Sequence, residues 1–154
     1  LDRRRPGQSS LTTQRGEATI VDDPLTSLAG QIPRICGQDP DEIAPDGSLI
    51  YWLCRNEYAS TCLCVLPPGH QSLPARHPRL QELWYVMSGQ GQLYRSSANG
   101  GLPVALRAGV GVSIAAGEVF QFCAHRDSAL TIHITTTPPW AGEHDVETGL
   151  TGYW

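Results

Sequence analysis

Glu82-Leu83-Trp84-Tyr85-Val86-Met87-Ser88-Gly89-Gln90-Gly91-Gln92-Leu93-Tyr94-Arg95 decides the fold. In an extended chain its first half puts Glu82, Trp84 and Val86 on one face and Leu83, Tyr85 and Met87 on the other. Aromatic and β-branched side chains favour that pleated conformation. The run Ser88-Gly89-Gln90-Gly91 then interrupts it, and Gln92–Arg95 reads as a second, shorter strand.

The same rhythm continues in both directions. Upstream, Leu49–Cys54 and Ala59–Leu66 flank the polar interval Arg55–Tyr58, which predicts an antiparallel hairpin whose second strand ends at Pro67-Pro68-Gly69. Downstream, Leu102–Leu106, Gly111–Ala115, Val119–Cys123 and Ala129–Thr136 are further short strands. Asn99-Gly100-Gly101 supplies positions suited to positive φ between two of them. Pro33–Ser48 reads as a structured loop, Pro24–Leu28 as a brief helical turn, and Ile20-Val21 as a short strand or contact. Residues 1–24 are expected to form a flexible or peripheral segment and residues 25–154 one domain. Many short strands without a long amphipathic helix predict an all-β barrel or double-sheet sandwich.

Composition narrows the classes. The chain has 16 Gly and 12 Pro in 154 residues, which suits a turn-rich domain, and 40% hydrophobic residues, enough for a core without disulfide or metal staples. Eleven basic residues against fifteen acidic ones give a net charge of −4, so neither nucleic acid nor an anionic membrane is the expected partner. No apolar run approaches the roughly 20 residues of a spanning helix. The start Leu1-Asp2-Arg3-Arg4-Arg5-Pro6 lacks the apolar centre of a secretory signal, and a cytoplasmic location is expected. Five cysteines without a paired CxxC are read as reduced packing residues.

Spacing then points to a family. Gly69, five residues, Ala75, one residue, His77, four residues, Glu82, six residues and Gly89 resembles the first motif of the cupin superfamily. Gly109, five residues, Ala115, one residue, Gly117, two residues and Phe120 resembles its second motif. Locally, the segments around Glu82–Gly91, Phe120-Gln121-Phe122 and Thr137-Pro138-Pro139-Trp140 resemble small single-domain bacterial cupins. The resemblance implies a double-stranded β-helix, the cupin jelly roll, with a cavity between its sheets. It also implies a small-molecule enzyme of bacterial specialised metabolism, with dimers common at this size. Family members with the full motif hold a divalent cation through three histidines and a glutamate. Here Ala75 and Phe120 stand at two of those positions and carry no donor atoms.

The expected chemistry is therefore acid–base isomerisation, cyclisation or elimination on a polar organic molecule, with His77 and Glu82 transferring protons. His133, between Thr131 and Thr135 on one strand face, joins them if that face lines the cavity. Gln121 lies one residue beyond Phe120. An ideal strand turns it to the opposite face, whereas a bulge brings it inward. Trp84, Gln121, Phe120 and Tyr51 are expected to contact substrate, and Arg76, with His70 and Arg79 on the same connection, suits a carboxylate or phosphate. Expected cofactors are none, or a weakly held divalent metal on His77, Glu82, Gln121 and His133. A metal-dependent oxygenase or isomerase with displaced ligands, and a noncatalytic binding or scaffold protein, remain as alternatives. The aromatic residues Trp140, Tyr153 and Trp154 are expected to cap an edge or join a homodimer interface.

Overall fold

The computed structural model describes residues 36–154. The readings of residues 1–24, Ile20-Val21 and Pro24–Leu28 lie outside them.

Among the described residues, ten strands make two antiparallel sheets: β1 (Glu42–Ile43), β2 (Leu49–Arg55), β3 (Ser60–Leu66), β4 (Ala75–Arg76), β5 (Gln81–Ser88), β6 (Gln90–Arg95), β7 (Val104–Arg107), β8 (Gly111–Ile114), β9 (Val119–Ala124) and β10 (Leu130–Thr137). The larger sheet runs β1-β2-β3-β10-β5-β8 and the smaller β4-β9-β6-β7. This is the double-stranded β-helix expected from the sequence. Each strong strand read there is present. The loop reading of Pro33–Ser48 is corrected at β1, where Glu42 and Ile43 pair with Ile50 and Leu49. The two-residue strand β4 has too little pattern to be read from sequence.

The decisive stretch crosses between the sheets. β5 belongs to the larger sheet, β6 to the smaller, and Gly89 makes the corner with φ +84°. A Cβ at Gly89 would lie 2.0 Å from the Ala129 carbonyl oxygen, and one at Gly91 would lie 2.1 Å from that of Cys123. Only glycine lets the chain pass this close to its neighbours.

Alternation fills the space between the sheets. Trp84 and Val86 from β5 meet Ile132 and Ile134 from β10, Leu93 from β6, and Phe120 and Phe122 from β9, all buried. Trp84 packs edge-on to Phe122, with ring centroids 5.1 Å apart, a favourable aromatic arrangement. Leu83, Tyr85 and Met87 point out of the same strand and are exposed. Packing is thus dense at one end of the sandwich, while the end near β1, β4 and the C-terminal segment opens into a cavity.

Candidate functional site

The cavity offers about 60 Å³ to the centres of water-sized molecules, room for several waters or one small organic molecule by the usual ~10–15 Å³ per water on this measure. Three groups of elements wall it. The larger sheet contributes Glu82 and Trp84 from β5 with Ile134 and Thr136 from β10. The smaller contributes Ala75 from β4 and Phe120 and Phe122 from β9. His77 follows β4, and Trp140 and Val146 close over from the C-terminal segment.

Local structure fixes each polar side chain. Glu82 and Trp84, two apart on one strand, point the same way, and the Trp84 indole N–H donates to Glu82 Oε2 at 2.8 Å. The His77 backbone carbonyl accepts from Gly117 N at 2.8 Å, which ties its turn to the second glycine-rich corner. Its ring lies 5.3 Å from that of Phe120 and edge-on to Trp140 at 5.9 Å. Trp140 is held by its backbone N–H, which donates to Ser60 Oγ at 3.0 Å. The reading of Trp140 as an edge cap is corrected by this position in the cavity wall.

His77 and Glu82 form the chemical centre. His77 Nδ1 lies 2.9 Å from the Asp145 carbonyl oxygen, which can only accept, so Nδ1 carries a proton. His77 Nε2 lies 3.3 Å from Glu82 Oε1, with both side chains 7% exposed. One further proton then resides on either Nε2 or Glu82. Burial lowers the His77 pKa, but the hydrogen bond and charge of Glu82, the Asp145 carbonyl and the charge of Asp46 outweigh it and hold the imidazole above its usual 6.5. The upward shift of the imidazole favours the form in which Nε2 carries that proton and donates it toward Glu82 Oε1.

A second carboxylate lines the same space. Asp46 is 8% exposed, and its Oδ1 accepts from Ser48 N at 3.0 Å and Ser48 Oγ at 2.6 Å. Burial pushes its pKa up, the Ser48 bonds pull it down, and the nearby Glu82 charge raises it further, leaving it above the usual carboxylate value. Sequence reasoning passed over Asp46 because Asp46-Gly47-Ser48 reads as turn punctuation before a strand. Glu42, at the cavity's edge, is also raised, first by partial burial and then by Asp41 and Glu143.

Other expected site residues lie elsewhere. His133 pairs with Leu63 and Tyr85 on the outer face of the larger sheet, because Ile132 and Ile134 take the inward positions. Its proposed partnership with His77 is therefore corrected. Tyr51 likewise points outward between the cavity-lining Ile50 and Trp52. Gln121 is 1% exposed but lies outside the cavity. Its Nε2 donates to the Ser72 carbonyl, and its Oε1 accepts from Tyr153 and Trp154 N–H. It thus clasps the C-terminal tail, and no bulge turns it inward. Tyr153 also stacks near Tyr94, with centroids 5.5 Å apart. Arg76 pairs with Glu147 beyond the lining, and Arg79 with Asp145 at 2.6 Å. Cys62 and Cys64 are buried, and desolvation pushes both thiols far up, as packing residues require.

The four-donor cation site of the full motif does not fit these residues. Ala75 and Phe120 bring no donor, the auxiliary candidates Gln121 and His133 lie outside the cavity, and both His77 nitrogens and both Glu82 oxygens have protein partners. Among the described residues, no group of three or more His, Cys, Asp or Glu side chains is placed to hold a metal ion. None of the described helices is long and apolar enough to cross a membrane.

No protein-family model matches the chain, and no curated protein matches it. Solved structures do. An uncharacterized conserved protein with a double-stranded β-helix domain from Klebsiella pneumoniae superposes with TM-score 0.57 at 14% identity, covering 85% of this chain and 97% of that one. The DMSP lyase DddQ from Ruegeria pomeroyi gives TM-score 0.56 at 13% identity over 66% of this chain and 51% of its own. An oxalate decarboxylase gives 0.57 at 16% over 73% and 30%. At such identities the likeness establishes fold alone. The chain has the double-stranded β-helix fold of the cupins, and Ala75 and Phe120, which carry no donor atoms, stand in its cavity wall.

Proposed function

We propose that the cavity is the active site of a small-molecule enzyme that works by acid–base chemistry, such as isomerisation, cyclisation or elimination. The buried His77–Glu82 pair carries this reading. Its shared proton can be given to a substrate from His77 Nε2, while the Glu82 carboxylate, relieved of its partner, accepts one in return. The Asp145 carbonyl holds the imidazole in the required tautomer, and the Trp84 indole fixes the carboxylate. Trp84, Phe120 and Trp140 wall the reacting region and limit bulk water. Two proteins of similar fold, a lyase and a decarboxylase by name, make small-molecule chemistry in this scaffold reasonable by analogy.

One observation favours a second reading, a noncatalytic binding pocket: the polar atoms of His77 and Glu82 already satisfy one another and their neighbours. Proton exchange separates the two. The protein is incubated in deuterium oxide with a metabolite extract, and mass spectrometry follows deuterium entering carbon positions or new products forming. The enzyme reading expects such changes, lost in both His77→Gln and Glu82→Gln. Ligands bound without any exchange or conversion would support the binding pocket instead.

A further inference from the structure

The cavity's charge defines what it can accept. All 11 basic residues of the chain are arginines, and none of those described lines the cavity, whereas Glu42, Asp46 and Glu82 do. The single lining base, His77, is already engaged by Glu82. This corrects the expectation that Arg76 would offer a carboxylate or phosphate a bidentate partner, since that guanidinium is held by Glu147 outside the lining.

Asp46 supplies a second and independent observation. Both bonds from Ser48 end on Oδ1, and among the described residues neither a hydrogen bond nor an ion pair reaches Oδ2. A carboxylate oxygen in a side chain more than nine-tenths buried, without a donor, is costly unless something brings one. Water can do so in part. A cation does so while also offsetting the repulsion between Asp46 and Glu82. The indole rings of Trp84 and Trp140 share the same space, and aromatic faces favour cations over anions.

We propose that the cavity selects a small organic ammonium, a protonated amine whose N–H donates to Asp46 Oδ2 while its carbon skeleton lies against the tryptophan-lined wall. A matched anion meets Asp46 and Glu42 with no arginine in the lining to receive it and is disfavoured, and a neutral alcohol of the same shape forfeits the charge-assisted bond. The inference rests on the cavity being a small-molecule site and adds the class of molecule. Burial raises the pKa values of Asp46 and Glu42, and a bound cation would lower them again by stabilising the ionised forms.

The test is a calorimetric titration of the full chain near neutral pH with n-butylammonium, butan-1-ol and butyrate, which share one carbon chain. Butylammonium is expected to bind at least about tenfold more tightly than either control, the scale of one charge-assisted hydrogen bond. Asp46→Asn is expected to abolish that preference. Glu42→Gln, at an exposed position, is expected to reduce it about threefold by lost Coulomb attraction, and serves if Asp46→Asn does not fold. Equal or tighter binding of butan-1-ol or butyrate would overturn the ammonium inference and leave the His77–Glu82 reading standing. So would unchanged butylammonium affinity in a folded Asp46→Asn variant, or in Glu42→Gln should Asp46→Asn fail to fold. Failure of butylammonium to bind would also overturn the ammonium inference, while the deuterium-exchange experiment decides the His77–Glu82 reading separately.

Discussion

Ala75 lies directly opposite Phe120 in the β4–β9 ladder, so the two positions without a donor atom are cross-strand neighbours on the wall beside His77. A small and a large apolar side chain fill one shared patch, 1% and 3% exposed. Beside it, His77 and Glu82 face each other.

That arrangement predicts indifference to chelators. Exhaustive treatment with EDTA is expected to leave the melting temperature and butylammonium affinity unchanged. Phe120→His with Ala75→His should gain divalent-cation binding by elemental analysis, at a stability cost of about 1–3 kcal/mol from forcing a larger ring into the Ala75 position. Stoichiometric metal in the wild type, lost with His77→Ala, would contradict the account.

The segment closing the cavity hangs on Asp145. Its carboxylate is buried, accepts from Ala141 N at 2.7 Å and pairs with Arg79. Burial alone would raise its pKa, but the Ala141 bond and the Arg79 charge outweigh this and lower it below 3.8. Its stabilising contribution is thus complete above the unfolded value and disappears as pH falls through the lower folded one. Asp145→Ala is expected to cost about 2–4 kcal/mol at neutral pH. Arg79→Ala should cost about 1 kcal/mol or less, because its side chain is 65% exposed and water screens the pair. Chemical denaturation of the two variants checks the order.

Corner glycines should differ sharply. Gly89→Ala drives a Cβ into the Ala129 backbone and is expected to cost about 3 kcal/mol or more. At Gly117, φ is +79° but nothing lies within 4 Å of the added Cβ, so Gly117→Ala should cost only about 1 kcal/mol. Thermal melts that ranked Gly117→Ala as the worse variant would argue against this β5–β6 corner.

Asp46 sets stability against binding. Its folded pKa lies above 3.8, so its protonated form favours folding. That advantage is lost as pH rises from the unfolded value through the folded one. Asp46→Asn keeps an acceptor for Ser48 and removes the buried charge, and is expected to raise the melting temperature by a few degrees at neutral pH. A lowered melting temperature there, with pH dependence like the wild type's, would refute the role given to Asp46.

Much of this was legible in the sequence because it is local. Alternation over Glu82–Met87 and the glycine at residue 89 specify a strand, its inward face and its corner, and so bring Glu82 and Trp84 together. His77 needed only its spacing from Glu82. Asp46 and Trp140 were missed as cavity residues because their positions depend on contacts between distant segments. His133 misled for a different reason: its polar neighbours suggested a functional face, yet the isoleucines flanking it had the stronger claim to the interior. Gln121 is buried on the outer side because residues near the C-terminus fold back over it, which strand periodicity cannot show.

The central claim is that His77 and Glu82 share a proton inside the cavity, and an NMR pH titration of the His77 ring nitrogens tests it most directly. The account predicts a wild-type pKa above 6.5 with Nδ1 protonated throughout, falling in Glu82→Gln as the main opposition to burial is lost and only the Asp145 carbonyl and the Asp46 charge remain. Stability should change in parallel: the pair's contribution is full below the unfolded value of 6.5 and is lost as pH rises through the higher folded pKa. A wild-type His77 that titrates at or below 6.5, unmoved by Glu82→Gln, would contradict it.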